Sequence, residues 1–213
     1  MKMKIEFVTA PEKIRAGDTL QILLPGRIPY DESHLAMCRS AAEKTGAALI
    51  TAPFIKDNRI VMAYLEEKTI VLQSACFFSN DAVGFEFGDD VEVFETRFGK
   101  VAMAVGNDAL QPQYARLAAL KGCQIMIAAL FVEGEDYLMC GPWSAAQANC
   151  LAVAAGQPEG GQLILPCELT EDLSGFGRDS FEMEELKRAY AGFPIFDCMN
   201  TALFERYGEV PSQ

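Results

Sequence analysis

The chain has 213 residues, half of them hydrophobic and 23% charged, which excludes a disordered or fibrous protein. A chain of this length buries ~70–75% of its unfolded surface, enough for a core without disulfide or metal staples. Thirty acidic against 18 basic residues leave a net charge of −12, which opposes association with nucleic acid or an anionic membrane. The first 19 residues read as an N-terminal arm with a polar stretch from Glu12 to Asp18, ahead of a single domain over residues 20–213. Leu20–Leu24 is apolar throughout and is stopped by Pro25-Gly26, the pattern of a buried strand. Asp31 or Ser33 is placed to cap a helix to about Thr45, with Leu35, Cys38 and Ala42 at helical spacing and Gly46 to end it. Ala47–Ala52, stopped by Pro53, is the next strand, so the unit is β-α-β.

Arg59–Leu65 and Thr69–Phe77 are β-branched and apolar and predict a hairpin across Glu66-Glu67-Lys68. Val91–Thr96 alternates as a half-buried strand does, and Val101–Val105 is apolar throughout, as in a strand covered on both faces. A helix follows Gly106-Asn107-Asp108, with Pro112 in its first turn and Gly122 past its end. Cys123–Phe131, Cys150–Ala155 and Leu163–Pro166 predict further strands, and Pro142 is expected to open a short helix rich in small residues. Asp179 with Glu182 resembles a capping box for a closing helix that runs to about Ala191. The order of elements is that of one α/β domain.

The seven cysteines are odd in number and form no C-x-x-C pair, which favours reduced thiols over a disulfide framework or a zinc site. The one histidine, His34, is expected on the surface in the first turn of its helix, without metal partners; neither a metal nor a cofactor pattern is present. No apolar run reaches the ~18–20 residues of a membrane span. The start, Met1 to Glu6, is basic but has no apolar core after it, so a cytoplasmic location is the expectation.

Phe98-Gly99-Lys100-Val101 to Asp108, continued by Pro112 to Cys123, resembles the central signature of the nitrilase (carbon–nitrogen hydrolase) superfamily. There a phenylalanine-glycine-lysine strand enters an elbow of cysteine, an aromatic residue and aspartate, followed by a proline-opened helix. Ala41–Ile50 with Pro53 is similar to the family's first helix and second strand. Trp143–Asn149 with Cys150–Gly156 resembles its tryptophan-led helix and next strand, and Glu185–Ala189 with Phe193-Pro194 its closing helix. The resemblance is collinear over about residues 20–207. It implies a four-layer α-β-β-α sandwich, here shortened around residues 54–90, that pairs as a homodimer through its helical faces. It also implies hydrolysis of C–N bonds by a cysteine nucleophile, a glutamate that relays protons and a lysine that stabilises the oxyanion.

The matching positions depart from that chemistry. Gly106 stands at the nucleophile's place, and Phe54 follows Pro53 where the family has glutamate. The interval from Ser79 to Phe87, where the family's lysine motif falls, contains no lysine. Gln113 and Ala148 replace two further glutamates. The resemblance therefore implies a degenerate member with no catalytic residue at the family positions and a vestigial pocket around Phe54, Gly106, Asn107, Asp108 and Trp143. Its role would be binding, regulation or assembly, with a small-molecule ligand of unknown identity. The alternative is a divergent amidase with a relocated nucleophile. Cys76, Cys140 and Cys150 are its candidates, Cys140 best placed because it precedes the helix expected at Pro142. A third reading, an unrelated α/β ligand-binding domain, stays open on the residues alone. Asp108 is expected to cap the following helix or to orient the elbow. The glycine-rich stretch Leu173–Ser180 lacks the Gly-Lys-Ser/Thr ending of a phosphate loop and reads as a lead-in to the closing helix. Tyr114 and the alanines of the 112–121 helix are the expected dimer face.

Overall fold

A computed structural model describes residues 2–77, 84–166 and 180–182. In the first sheet, β1 (Lys2–Val8), β2 (Leu20–Leu23) and β3 (Ala48–Ile50) run parallel. The crossover from β2 to β3 is α1 (Ser33–Thr45), closed by Gly46 in the left-handed conformation at φ 67°. Three antiparallel strands extend this sheet: β4 (Phe54–Lys56), β5 (Arg59–Glu66) and β6 (Thr69–Ser74). The second sheet holds β7 (Val93–Thr96), β8 (Gly99–Val105), β9 (Ile125–Ala129), β10 (Ala152–Gln157) and β11 (Gly160–Ile164). Its three central strands are parallel and its two edge strands antiparallel. On its outer side lie α2 (Pro112–Leu120) and a continuous helical run: α3 (Glu135–Leu138), a π-helical turn at Met139–Trp143 and α4 (Ser144–Asn149).

Strand alternation sorts the apolar residues into three layers of contact. Val101, Met103 and Val105 of β8 face Ile22, Ile50 and Met62 of the first sheet, forming the core between the sheets. Ala102 and Ala104 face the other way, onto Tyr114, Ala118 and Ala146 of the helices. On the far side, Leu23, Leu49 and Ala63 pack against Cys38 and Ala42 of α1. The result is an α-β-β-α sandwich. The small residues on the helix-facing side of β8, β9 and β10 let the helices sit close to the sheet.

Several expectations are corrected. The segment read as an arm contains β1, which pairs with β2 and is part of the sheet. Ser180–Glu182, expected at a helix start, form β12, an extended strand antiparallel to β1. The mixed apolar-polar pattern there fits either conformation, and pairing with an open sheet edge decides it. The remainder of the closing-helix reading, the stretch 173–179, Cys167 and Cys198 lie outside the described residues. Pro142 does not open a helix but sits inside the π-helical turn, where wider hydrogen-bond spacing accommodates a residue without an N–H. The helix starts at Glu135 after Gly134, whose φ is 122°. Tyr114, Ala115, Ala118 and Ala119 are buried against their own sheet, so they do not form an open dimer face; Leu117 is the exposed apolar residue of α2. No helix among the described residues is long and apolar enough to cross a membrane.

His34 is buried, not superficial. Its ring stacks on Tyr30 with centroids 4.4 Å apart, and its Nε2 lies 3.4 Å from the Cys38 sulfur one turn along α1. Burial pushes the imidazole below its ordinary value of 6.5, against a smaller upward pull from Asp31. The unfolded chain therefore takes up the proton first, so the stability lent by the neutral ring is present above ~pH 6.5 and is lost as the pH falls through the depressed value. Urea unfolding at a series of pH values should show wild type losing stability relative to His34→Gln between about pH 7 and pH 5. A constant difference between the two proteins would refute this.

Candidate functional site

The carboxyl ends of β8 and β9, with the chain leaving β6, converge on one end of the sandwich. There β8 breaks into a 3₁₀ turn, Gly106–Leu110. Gly106 is buried and has φ 59°, a backbone state costly for any other residue. A Cβ added at Gly106 would lie 2.7 Å from Cε2 of Phe131, the residue two positions beyond β9. The Phe131 ring thus occupies the space where a side chain at this bend would begin. It packs at the same time against the core between the sheets.

Two residues on, Asp108 is almost completely buried, and its carboxylate accepts three backbone N–H groups. Phe77 donates to Oδ1 at 2.7 Å, Cys76 to both oxygens at 2.9 and 3.2 Å, and Val105 to Oδ2 at 3.3 Å. Burial pushes this carboxyl up to about 7, while the three N–H groups pull it down. Asp108 does not cap α2, which has no side-chain cap. Of its two expected roles, the structure supports the orienting one: the carboxylate ties the bend to the segment leaving β6.

The helical run carrying Trp143 packs directly on this turn. A Cβ at Gly141 would collide with the Ala109 carbonyl, so glycine is required for the approach. Trp143, Leu110, Cys76 and Phe77 all pack against the cluster on the helix side of the second sheet. The structure therefore gathers Gly106, Asn107, Asp108 and Trp143 at one end. Phe54 is not with them. It pairs with Val61, whose side of β5 faces α1, so its ring lies with Cys38 and Ala42 in the outer layer, 6.4 Å from the His34 ring centroid. Alternation decides this, since residues opposed on antiparallel strands share a face. Phe131, read from the sequence only as the end of the strand that begins at Cys123, lies two positions past β9 and closes the bend instead.

None of the candidate cysteines sits at a helix N-terminus. Burial, aided by Asp108, Asp90 and Asp89, pushes the Cys76 thiol up to about 12. Cys150 is buried just past α4, at the end where the helix dipole is negative. Cys140 is exposed but lies inside the helical run, not at a helix start. Among the described residues no group of three His, Cys, Asp or Glu is placed to hold a metal ion.

The carbon–nitrogen hydrolase family model matches residues 59–192 of the chain. Solved structures share its fold over nearly their whole length at low identity. A carbon–nitrogen hydrolase from Helicobacter pylori superposes with a TM-score of 0.73 at 14% identity, covering 96% of this chain and 98% of its own. A Saccharomyces cerevisiae member of branch 10 of the nitrilase superfamily gives 0.68 at 14% identity, covering 92% and 95%. An amidase from Nesterenkonia sp. gives 0.68 at 14% identity, covering 97% and 96%. No curated protein matches the chain by sequence.

Replacing Gly106 by alanine combines the left-handed backbone cost with displacement of Phe131 and should destabilise the fold by about 1–3 kcal/mol in urea unfolding. In the Phe131→Ala background the same substitution should cost about 1 kcal/mol less, and strict additivity would show that the ring does not occupy this space. Asp108→Ala strands three N–H donors and should cost at least about 3 kcal/mol, with Asp108→Asn, which keeps one acceptor oxygen, losing less.

Proposed function

The chain belongs to the carbon–nitrogen hydrolase family, and within it we propose a catalytically degenerate member that acts as a binding, regulatory or assembly protein. The observation that carries this reading is the pair Gly106 and Phe131: the bend that the family resemblance assigns to the nucleophile bears no side chain, and an aromatic ring fills the adjoining space. Covalent hydrolysis of an amide or nitrile needs a group that attacks carbon, a base that takes its proton and a cation that holds the oxyanion. A Nesterenkonia amidase mutant shows the first of these directly, with the acetamide moiety of fluoroacetamide added to its active-site cysteine.

In this chain Gly106 has nothing to attack with, and no lysine occurs between Lys68 and Lys100. Phe54 is apolar and turned toward α1. Removing one member of such a catalytic unit costs on the order of 10⁴–10⁶-fold in rate. The alternative, hydrolysis by a relocated cysteine, is disfavoured by the same surroundings. Burial and the carboxylates around Cys76 stabilise the thiol rather than the thiolate, and neither Cys140 nor Cys150 sits at a helix N-terminus.

Purified protein assayed against a panel of amides, nitriles and ureas should show no turnover above the uncatalysed rate. Iodoacetamide at neutral pH should find no thiol that reacts much faster than an exposed cysteine in a peptide. Turnover abolished by a single cysteine-to-serine change would overturn the proposal and establish the relocated nucleophile.

A further inference from the structure

We propose that the loops following β2 and β9, with β4 beside them, form a docking surface for a basic, apolar-bearing segment of another protein. This deepens the binding reading above and rests on it. Five large apolar side chains here are exposed to solvent: Ile28 at 75%, Tyr137 at 42%, Tyr30 at 41%, Val132 at 37% and Ile55 at 36%. Hydrogen bonds and an ion pair link the segments that carry them. Tyr30 donates its N–H to Pro53 O at 2.9 Å and accepts Ile55 N–H at 2.8 Å, which fixes the first loop on β4. Arg27, beside Ile28, reaches across to Glu133, its Nη2 3.0 Å from Oε2, and so joins the loop of the first sheet to the loop of the second. Gln157 Nε2 donates to Gly134 O at 3.0 Å and fixes that second loop on β10, while Tyr137 lies against Gly134. Large apolar groups exposed on loops held in this way suit an interaction surface.

Charge selects the occupant. Glu32, Asp57, Glu133, Glu135 and Asp136 each lie within two residues of one of these apolar side chains along the chain, and Glu159 approaches Arg27 at 3.9 Å. The nearby cations are already engaged: Arg27 with Glu133, and Lys56 with Glu32 and Asp57, both at 3.0 Å. Glu135 and Asp136 have no ion-pair partner among the described residues, and both are exposed. A second copy of this chain, at net charge −12, would bring like charge to the surface, and anionic lipid or nucleic acid would be repelled in the same way. A segment carrying lysine or arginine between apolar residues satisfies both features at once, the cations meeting the carboxylates as the apolar side chains cover Ile28, Tyr30 and Tyr137.

The test uses the full chain and three synthetic amphipathic peptides about 14 residues long, built from lysine and leucine, glutamate and leucine, or lysine and serine. Titration calorimetry at about 0.15 M salt should give binding on the order of 10 μM for the lysine–leucine peptide, and at least ~10-fold weaker binding for the other two. The paired changes Ile28→Ser with Tyr137→Ser, or Glu135→Lys with Asp136→Lys, should each weaken binding at least ~10-fold. Glu95→Lys, an exposed charge reversal on β7 at the far end of the second sheet, should change it less than ~2-fold, with all variants melting as wild type does. Equal loss with Glu95→Lys, or equal binding of the lysine–serine peptide, would reduce the effect to general acidity and overturn the proposal. So would self-association that Ile28→Ser disperses, or binding to phosphatidylserine vesicles, each of which assigns the surface to another occupant. Absence of peptide binding without amide turnover overturns the docking surface alone, whereas turnover in the same sample overturns the binding-protein reading.

Discussion

A carboxylate taken out of water must find donors inside the protein, and the placement of Asp108 follows from that requirement. Its three N–H partners come from two places far apart in sequence: Val105 at the end of β8, and Cys76 and Phe77 beyond β6. The bond to Val105 shapes the bend, and the bonds to Cys76 and Phe77 join it to the first sheet. Leaving any of these groups unpaired in a dry interior costs on the order of 1–3 kcal/mol, so the three bonds act together as a fastening between the sheets. The position of the 3₁₀ turn, and with it the seat of the helical run on Gly141, depends on that fastening.

Around this fixed point the interior is closed by small-for-large exchange. Gly106 and Gly141 carry no side chain, and Phe131, Leu110 and the Ala109 carbonyl come up to them. Each glycine answers a separate need. At Gly106 both the positive φ and the ring of Phe131 demand it, whereas at Gly141 the demand is only the nearness of the turn. A bend of this kind can hold a reactive side chain when the space in front of it is open. Here the ring of Phe131 uses that space for packing against the core between the sheets.

Electrostatics separates the interior from the rim. Inside, burial and neighbouring carboxylates keep the Cys76 thiol protonated, and burial favours the neutral form of His34. Outside, the exposed Glu135 and Asp136 stand next to the exposed Tyr137, and Arg27 ties the loop after β2 to the loop after β9.

Local pattern in the sequence determined the strands other than β1, β4 and β12, together with α1 and α2, and the order in which they follow one another. Residues such as Val101–Val105 and Ile125–Ala129 are apolar enough to be buried in any arrangement, and Gly46 can end a helix without tertiary help. Gly106 and Asp108 were legible for a similar reason, since a glycine and an aspartate at a strand-to-helix bend have few roles. What local pattern could not supply was the direction of side chains set by distant partners. Pairing with Val61 turned Phe54 toward α1, stacking on Tyr30 drew His34 inside, and the free edge of β1 made a strand of Ser180–Glu182. The filling of the bend by Phe131 likewise exists only once β8 and β9 lie side by side. Periodicity fixes which residues can be buried, but which neighbour buries them is a contact between segments far apart in the chain, and only the folded arrangement decides it.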